Sequence, residues 1–176
     1  LTRRYPVKVM DLNQEGSAGV QIWRSGDISN TAMQTIRVSR MFLNPNNFII
    51  SAAPLKTHNT VVATLSTKNI AMSAPLIDIG NAFGSQSGSV NDKPTMHGPT
   101  GAPTNTNKTY ADYQVLNDNV YRLVKVYGVR PHLAVLDGYQ GMQGEGPVSG
   151  IAVGTPQQLA LASLDFLAAD RVALAL

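Results

Sequence analysis

At 176 residues, with 43% hydrophobic and 14% charged side chains, the chain fits a single domain with a real core and is neither a disordered tail nor a coiled coil. Zero cysteines exclude disulfides, thiolate zinc sites, thiol catalysis and any iron–sulfur cluster ligated from within these residues. The net charge of +3 is spread out, and neither Arg3-Arg4 nor Arg37 with Arg40 is interleaved with stacking aromatics, which argues against a nucleic-acid partner.

Residues 7–12 alternate and predict a strand, followed by turn signals at Glu15, Gly16 and Ser17. Residues 36–43 set Ile36 and Val38 against Arg37 and Ser39, the pattern of a half-exposed strand, and Asn44-Pro45-Asn46-Asn47 then reads as a turn. The apolar run 48–53 predicts a strand covered on both faces and closed by Pro54. From Asn59, the spacing of Val61, Val62, Leu65, Asn69 and Met72 predicts an amphipathic helix with Thr57 or Asn59 as its N-cap. Residues 73–109, dense in Gly, Ser, Pro, Asn and Thr, form a long irregular segment of the kind that serves as a lid.

A helical stripe runs through Leu116, Val120, Leu123, Val124 and Tyr127, with Gly128 where a C-terminal cap belongs. Residues 132–136 read as a buried strand ending at Asp137, and a glycine-rich loop follows over 138–150. A strand at 159–162 and a helix opening at Ser163 or Asp165 complete the chain. The order predicts one α/β domain over residues 1–176, with a layered, at least partly parallel sheet and flanking helices. Apolar stretches are interrupted well short of the ~18 residues of a membrane span. The helical, apolar ending at Ala173-Leu174-Ala175-Leu176 gives the expectation of a fragment of a longer protein, and compartment and oligomeric state are left open.

Three constellations carry candidate chemistry. In Pro54-Leu55-Lys56-Thr57-His58-Asn59, a strand leads into a predicted helix start, where free N–H groups, Lys56 and His58 would gather donors for a phosphate or carboxylate; Lys68-Asn69 lies further along. The plain alternative is a capped helix with solvated cations. From Asp137 to Gly150 the glycines match neither a dinucleotide fingerprint nor a P-loop, but Gly144-Glu145-Gly146 holds a carboxylate suited to metal ligation or general-base work, against the alternative of a tight surface turn. Lys93 and His97 lie in the irregular segment, and His97 with Glu145 is the candidate metal pair, though no spacing signature supports it and a solvated histidine is the simpler reading. His132 reads as structural, and Asp170 on an apolar helix needs a partner. Parallel pairing of the strands ending at Pro54 and Asp137 would bring the first two constellations to one sheet edge.

The series Ala53-Pro54-Leu55-Lys56-Thr57-His58, Lys68-Asn69, Lys93 to His97, Leu136-Asp137-Gly138, Gly144-Glu145-Gly146-Pro147 and Ala162-Ser163-Leu164-Asp165 with Ala169-Asp170 resembles the bacterial and archaeal family catalogued as domain of unknown function 362. The resemblance spans residues 48–173, and the first 40 residues carry little of it. It implies no settled activity. Members are often fused to, or encoded with, ferredoxin-like iron–sulfur proteins, which implies a redox setting whose cluster comes from another segment or subunit. The glycine usual after the Lys-Asn pair is replaced here by Ile70-Ala71-Met72-Ser73.

Two functional expectations result. In one, an enzyme-like domain binds a small anionic molecule, with or without a divalent metal. Lys56, Lys68, Asn69, Lys93, Gly144 and Gly146 bind the ligand, and Asp137, Glu145 and His58 supply acid–base groups. In the other, a non-catalytic domain docks an iron–sulfur partner.

Overall fold

Alternating β-branched residues build the first layer. Val20 and Ile22 of β1 (Ser17–Trp23) and Ile36 and Val38 of β2 (Met33–Ser39) are buried on one side of an antiparallel ribbon. The computed structural model describes residues 6–24, 31–58, 61–77, 92–98, 110–146, 149–154 and 158–176. The expected strand at residues 7–12 is absent: Val7 and Val9 are exposed and unpaired in any ladder, and pairing begins only at Ser17. The strand expected over 36–43 is displaced to β2, after which residues Arg40–Phe42 turn as a 3-10 helix.

The second layer is a mixed sheet of order β4-β3-β5-β6, with β7 also pairing β5. Its centre is the parallel pair of β3 (Ile50–His58) and β5 (Leu133–Glu145), in register from Ile50 with Leu133 to Pro54 with Asp137. Pro54 does not end the strand. The neighbouring Ala52 carbonyl points to the side away from β5, where it accepts from Asn69 Nδ2 at 3.4 Å. Backbone groups two residues apart point the same way, so the N–H that Pro54 lacks would also face this side, and β4 (Val62–Thr64) pairs only residues 56–58.

Residues 138–150 are likewise not a free loop. β5 runs on to Glu145 and returns as β6 (Ser149–Ala152), so the glycines form a hairpin arm, with three extra β5 residues bulged between the Pro54 and Lys56 pairings. β7 (Leu159–Ser163) lies where expected.

Between the layers lie α1 (Ser66–Ser73) and α3 (Tyr110–Tyr127). Ile70 and Ala71 of α1 and Leu116 and Leu123 of α3 meet the ribbon's four buried apolar residues in one core. Gly128 closes α3 with φ +70, and the Val129 N–H returns to the Leu123 carbonyl at 3.0 Å. Asn119, fully buried, holds ribbon to helix: Oδ1 accepts from Trp23 N at 2.7 Å, and Nδ2 donates to the Trp23 and Met96 carbonyls.

A second core joins Ala53, Leu55, Ala134 and Leu136 of the sheet to Phe166 and Ala169 of α4 (Phe166–Ala173). Asp165 is the N-cap of α4, accepting from Ala168 N at 2.9 Å. The short α2 (Asp92–Thr95) interrupts the segment expected to be irregular and packs on β2. Residues 78–91 and 99–109 of that segment, with any lid role, lie outside the described residues.

Candidate functional site

The helix expected from Asn59 begins instead at Ser66, because Val62 to Thr64 are used as the edge strand β4. This changes the nature of the site. Leu65 stands at the N-cap of α1, and its side chain has no hydrogen-bond acceptor to offer. The missing acceptor arrives from α4: Asp170 Oδ1 accepts from Ser66 N at 2.9 Å and Ser66 Oγ at 2.6 Å, and Oδ2 accepts from Thr67 N at 2.9 Å and Thr67 Oγ1 at 2.6 Å. The helix start expected to receive an external anion is therefore already occupied by a carboxylate of the chain itself.

The cations gather beside it instead. Lys56 on β3 is the register partner of Thr64 on β4, so both side chains leave the same face of the sheet. Lys68, in the first turn of α1, donates from Nζ to Thr64 Oγ1 at 3.2 Å. Burial, reinforced by the charge of Lys56, lowers the Lys68 pKa from 10.5 to about 7. Among the described residues no carboxylate forms an ion pair with either lysine.

Two adjoining clefts of about 330 and 380 Å3 meet here, the first lined by Lys56 and the second by Lys68 and Asp170. Val62, Ala63, Leu65 and Leu174 belong to both, which makes their shared wall apolar. Val62 itself has φ 67, a left-handed conformation costly for a β-branched residue.

His58 lies two residues beyond Lys56 on the same strand, paired with Val62 and half-buried. Met142 is the β5 partner of Lys56, and Glu145 follows three residues later, paired with Ser149. Parallel pairing thus brings the lysine–histidine segment and the acidic hairpin to one end of the sheet.

Several expected ligand groups have evident structural work. Gly144 has φ +86 and its carbonyl accepts from Thr57 Oγ1 at 2.7 Å, while a Cβ on Gly146 would lie 2.5 Å from the Thr57 carbonyl oxygen. Asn69 Nδ2 donates to Ser51 Oγ at 3.0 Å at the β3 edge. Asp137 is exposed and accepts from Tyr139 N at 2.9 Å, a local turn that opens the bulge.

Lys93 and His97 do not join the group. Lys93 is in α2, against the ribbon, where burial lowers its pKa. The adjacent Met96 belongs to the ribbon-side core, and Gly98 abuts Val115 of α3, so His97 is held on that side of the molecule. Among the described residues no three His, Asp or Glu side chains are placed to hold a metal ion. His132 is structural: its ring stacks on Phe48 with centroids 5.2 Å apart, and Nδ1 accepts from Ile49 N at 3.0 Å.

The family described as Domain of unknown function (DUF362) matches residues 1–175, essentially the whole chain. The chain belongs to the DUF362 family. The match takes in the ribbon and the first 40 residues, which the motifs alone had left outside the resemblance. No curated protein and no solved structure matches this DUF362 chain. Of the residues singled out in the sequence, Lys56 and Lys68 line the two clefts, while Thr64, the strained Val62 and the partner of Asp170 were not foreseen. Only Asp170 left a signal, as a lone carboxylate on an apolar helix; the other two depend on where β4 turns.

Proposed function

We propose that the β3–β4–α1 edge binds a small anionic molecule, a carboxylate or phosphate, between Lys56 and Lys68. The observation that carries this reading is the placement of two lysines about one residue, Thr64, which is hydrogen-bonded to Lys68 and cross-strand from Lys56, with no carboxylate paired to either among the described residues. Such an arrangement is destabilising by itself, and a bound anion would relieve both the repulsion and the charge deficit of Lys68. The strained Val62 in the shared wall supports it, since non-glycine residues in the left-handed region cluster at ligand sites. His58, two residues beyond Lys56 on β3, would add a third donor, and Glu145 and Asp137 would supply acid–base groups from β5.

Oxalate and inorganic phosphate titrated into the full chain by calorimetry test the site. Binding should weaken by about tenfold on Lys56→Met or Lys68→Met, the loss of one charge-assisted contact. Equal affinity for wild type and both variants would remove the proposal. Binding should also weaken as pH rises through about 7, because Lys68 then loses its charge.

A second reading, docking of an iron–sulfur partner, is favoured by the apolar sheet face bearing Ile50, Ala52, Pro54, Ala160 and Ala162, which is exposed in this chain. A ferredoxin that binds the wild type but not an Ala52→Asp variant, with oxalate binding unchanged, would select it.

A further inference from the structure

We propose that Lys68 is a nucleophilic amine that condenses with the carbonyl group of a small, negatively charged aldehyde or ketone, while Lys56 holds the anionic end. The inference rests on the anion site above and names the substrate class that site would take. A lysine reacts with carbonyls only as the free amine, and proteins produce that form by desolvating the side chain and setting a second cation beside it. Both conditions hold at Lys68. Its stem enters a cleft walled by Val61, Val62, Ala63, Leu65, Val120 and Leu174, and Lys56 projects from the strand position facing Thr64, to which Lys68 Nζ is bonded.

The other charged group lining these clefts from a described element is Asp170. Both of its oxygens are taken by Ser66 and Thr67, so it serves the helix rather than restoring a full charge to Lys68. His58 stands at the end of β3, and α3 contributes only Asn117 and Val120. The depressed Lys68 pKa of about 7 agrees with this placement and leaves a large share of the amine unprotonated at neutral pH.

The chemistry balances without a further reagent. The Lys68 nitrogen lone pair attacks the carbonyl carbon and a C–N bond forms. A proton passes from nitrogen to oxygen, and the resulting carbinolamine loses its oxygen as water, leaving a C=N bond. Each of the adjoining clefts, of about 330 and 380 Å3, is large enough for a molecule of pyruvate's size. The proposed pose lies where they meet, with the carboxylate toward Lys56 of the first cleft and the carbonyl toward Lys68 of the second.

Incubation of the full chain with pyruvate and sodium borohydride, followed by peptide mass spectrometry, reads the imine as a carboxyethyl adduct on lysine. The expected result is modification of Lys68 about tenfold or more faster than that of the exposed Lys8 and Lys125. Oxalate should slow it, and so should Lys56→Met. Lys68→Arg should still bind oxalate while losing the selective adduct, which separates loss of the nucleophile from loss of the fold. Adducts spread evenly over Lys8, Lys68 and Lys125 in a chain that binds oxalate overturn the imine and leave the anion site standing. A chain that labels evenly and binds no oxalate overturns both.

Discussion

Asp170 shows how one carboxylate settles the identity of a site. It satisfies two backbone N–H groups and two hydroxyls at the start of α1, from a helix 104 residues away in sequence. Replacing it with alanine leaves the N–H of Ser66, itself fully buried, without its acceptor, and leaves the Ser66 hydroxyl only the Phe166 carbonyl at 3.5 Å. Asp170→Ala should therefore cost about 1–3 kcal/mol in urea denaturation, and Asp170→Asn somewhat less, since the amide oxygen still accepts. Lys68 makes a prediction of the opposite kind. Its pKa is lower in the folded chain, about 7, than in the unfolded chain, 10.5, so between these values the unfolded state binds more protons. Below about pH 7 both states are charged and the cost of burying the cation is fully present. Stability should then rise with pH from about 7 to 10.5, and Lys68→Met should flatten that rise in denaturation curves measured across the range. Lys93, lowered by burial alone, adds a contribution of the same sign that the variant retains.

At the scale of elements, the sequence was legible wherever one local pattern decided the outcome. The α3 stripe, Gly128 as its cap, Asp165 as the α4 cap and β7 all follow from spacing and capping chemistry within a few residues. The readings that failed depended on distant partners. Val7 and Val9 have strand propensity, but a strand needs a neighbour, and the ribbon register begins at Ser17. Pro54 marks a strand end only if its missing N–H would have been needed, and here that position faces an edge that β4 does not reach. The glycines after Asp137 read as a loop because glycine weakens strands. They are required by close packing instead: a Cβ on Gly138 would lie 2.5 Å from Leu159 and 2.8 Å from Leu55. The candidate site was legible in the same measure. Parallel pairing of the two motif-bearing strands could be reasoned from the α/β pattern, and β3 and β5 do pair in that way. The transfer of the helix start from Asn59 to Ser66 could not, because it depends on Asp170 supplying the cap that Leu65 lacks.

For the molecule as a whole, the two faces of the main sheet differ in a way that bears on its partners. One face carries Ser51, Ala53 and Leu55 of β3 with Ala134 and Leu136 of β5, all buried, and α4 covers its apolar part. The other carries Ile50, Ala52 and Pro54, and Ala160 and Ala162 of β7 lie across β5 from them, all exposed. A parallel strand pair is ordinarily covered on both faces, and the apolar character of this second face is what such burial selects. Adjacent positions on β3 separate the two environments. Ala53→Asp would place an unpaired carboxylate against Leu55, Leu136 and Phe166 and should prevent folding, as judged by loss of a cooperative urea transition. Ala52→Asp, one residue away and pointing outward, should shift the midpoint by no more than about 0.5 kcal/mol in the isolated chain, as surface substitutions do. A large loss for Ala52→Asp would mean that the outer face is covered in solution, by a second copy or by chain outside the described residues. The same variant would then dissociate whatever covers it, and light scattering alongside the denaturation curve would reveal the change in mass.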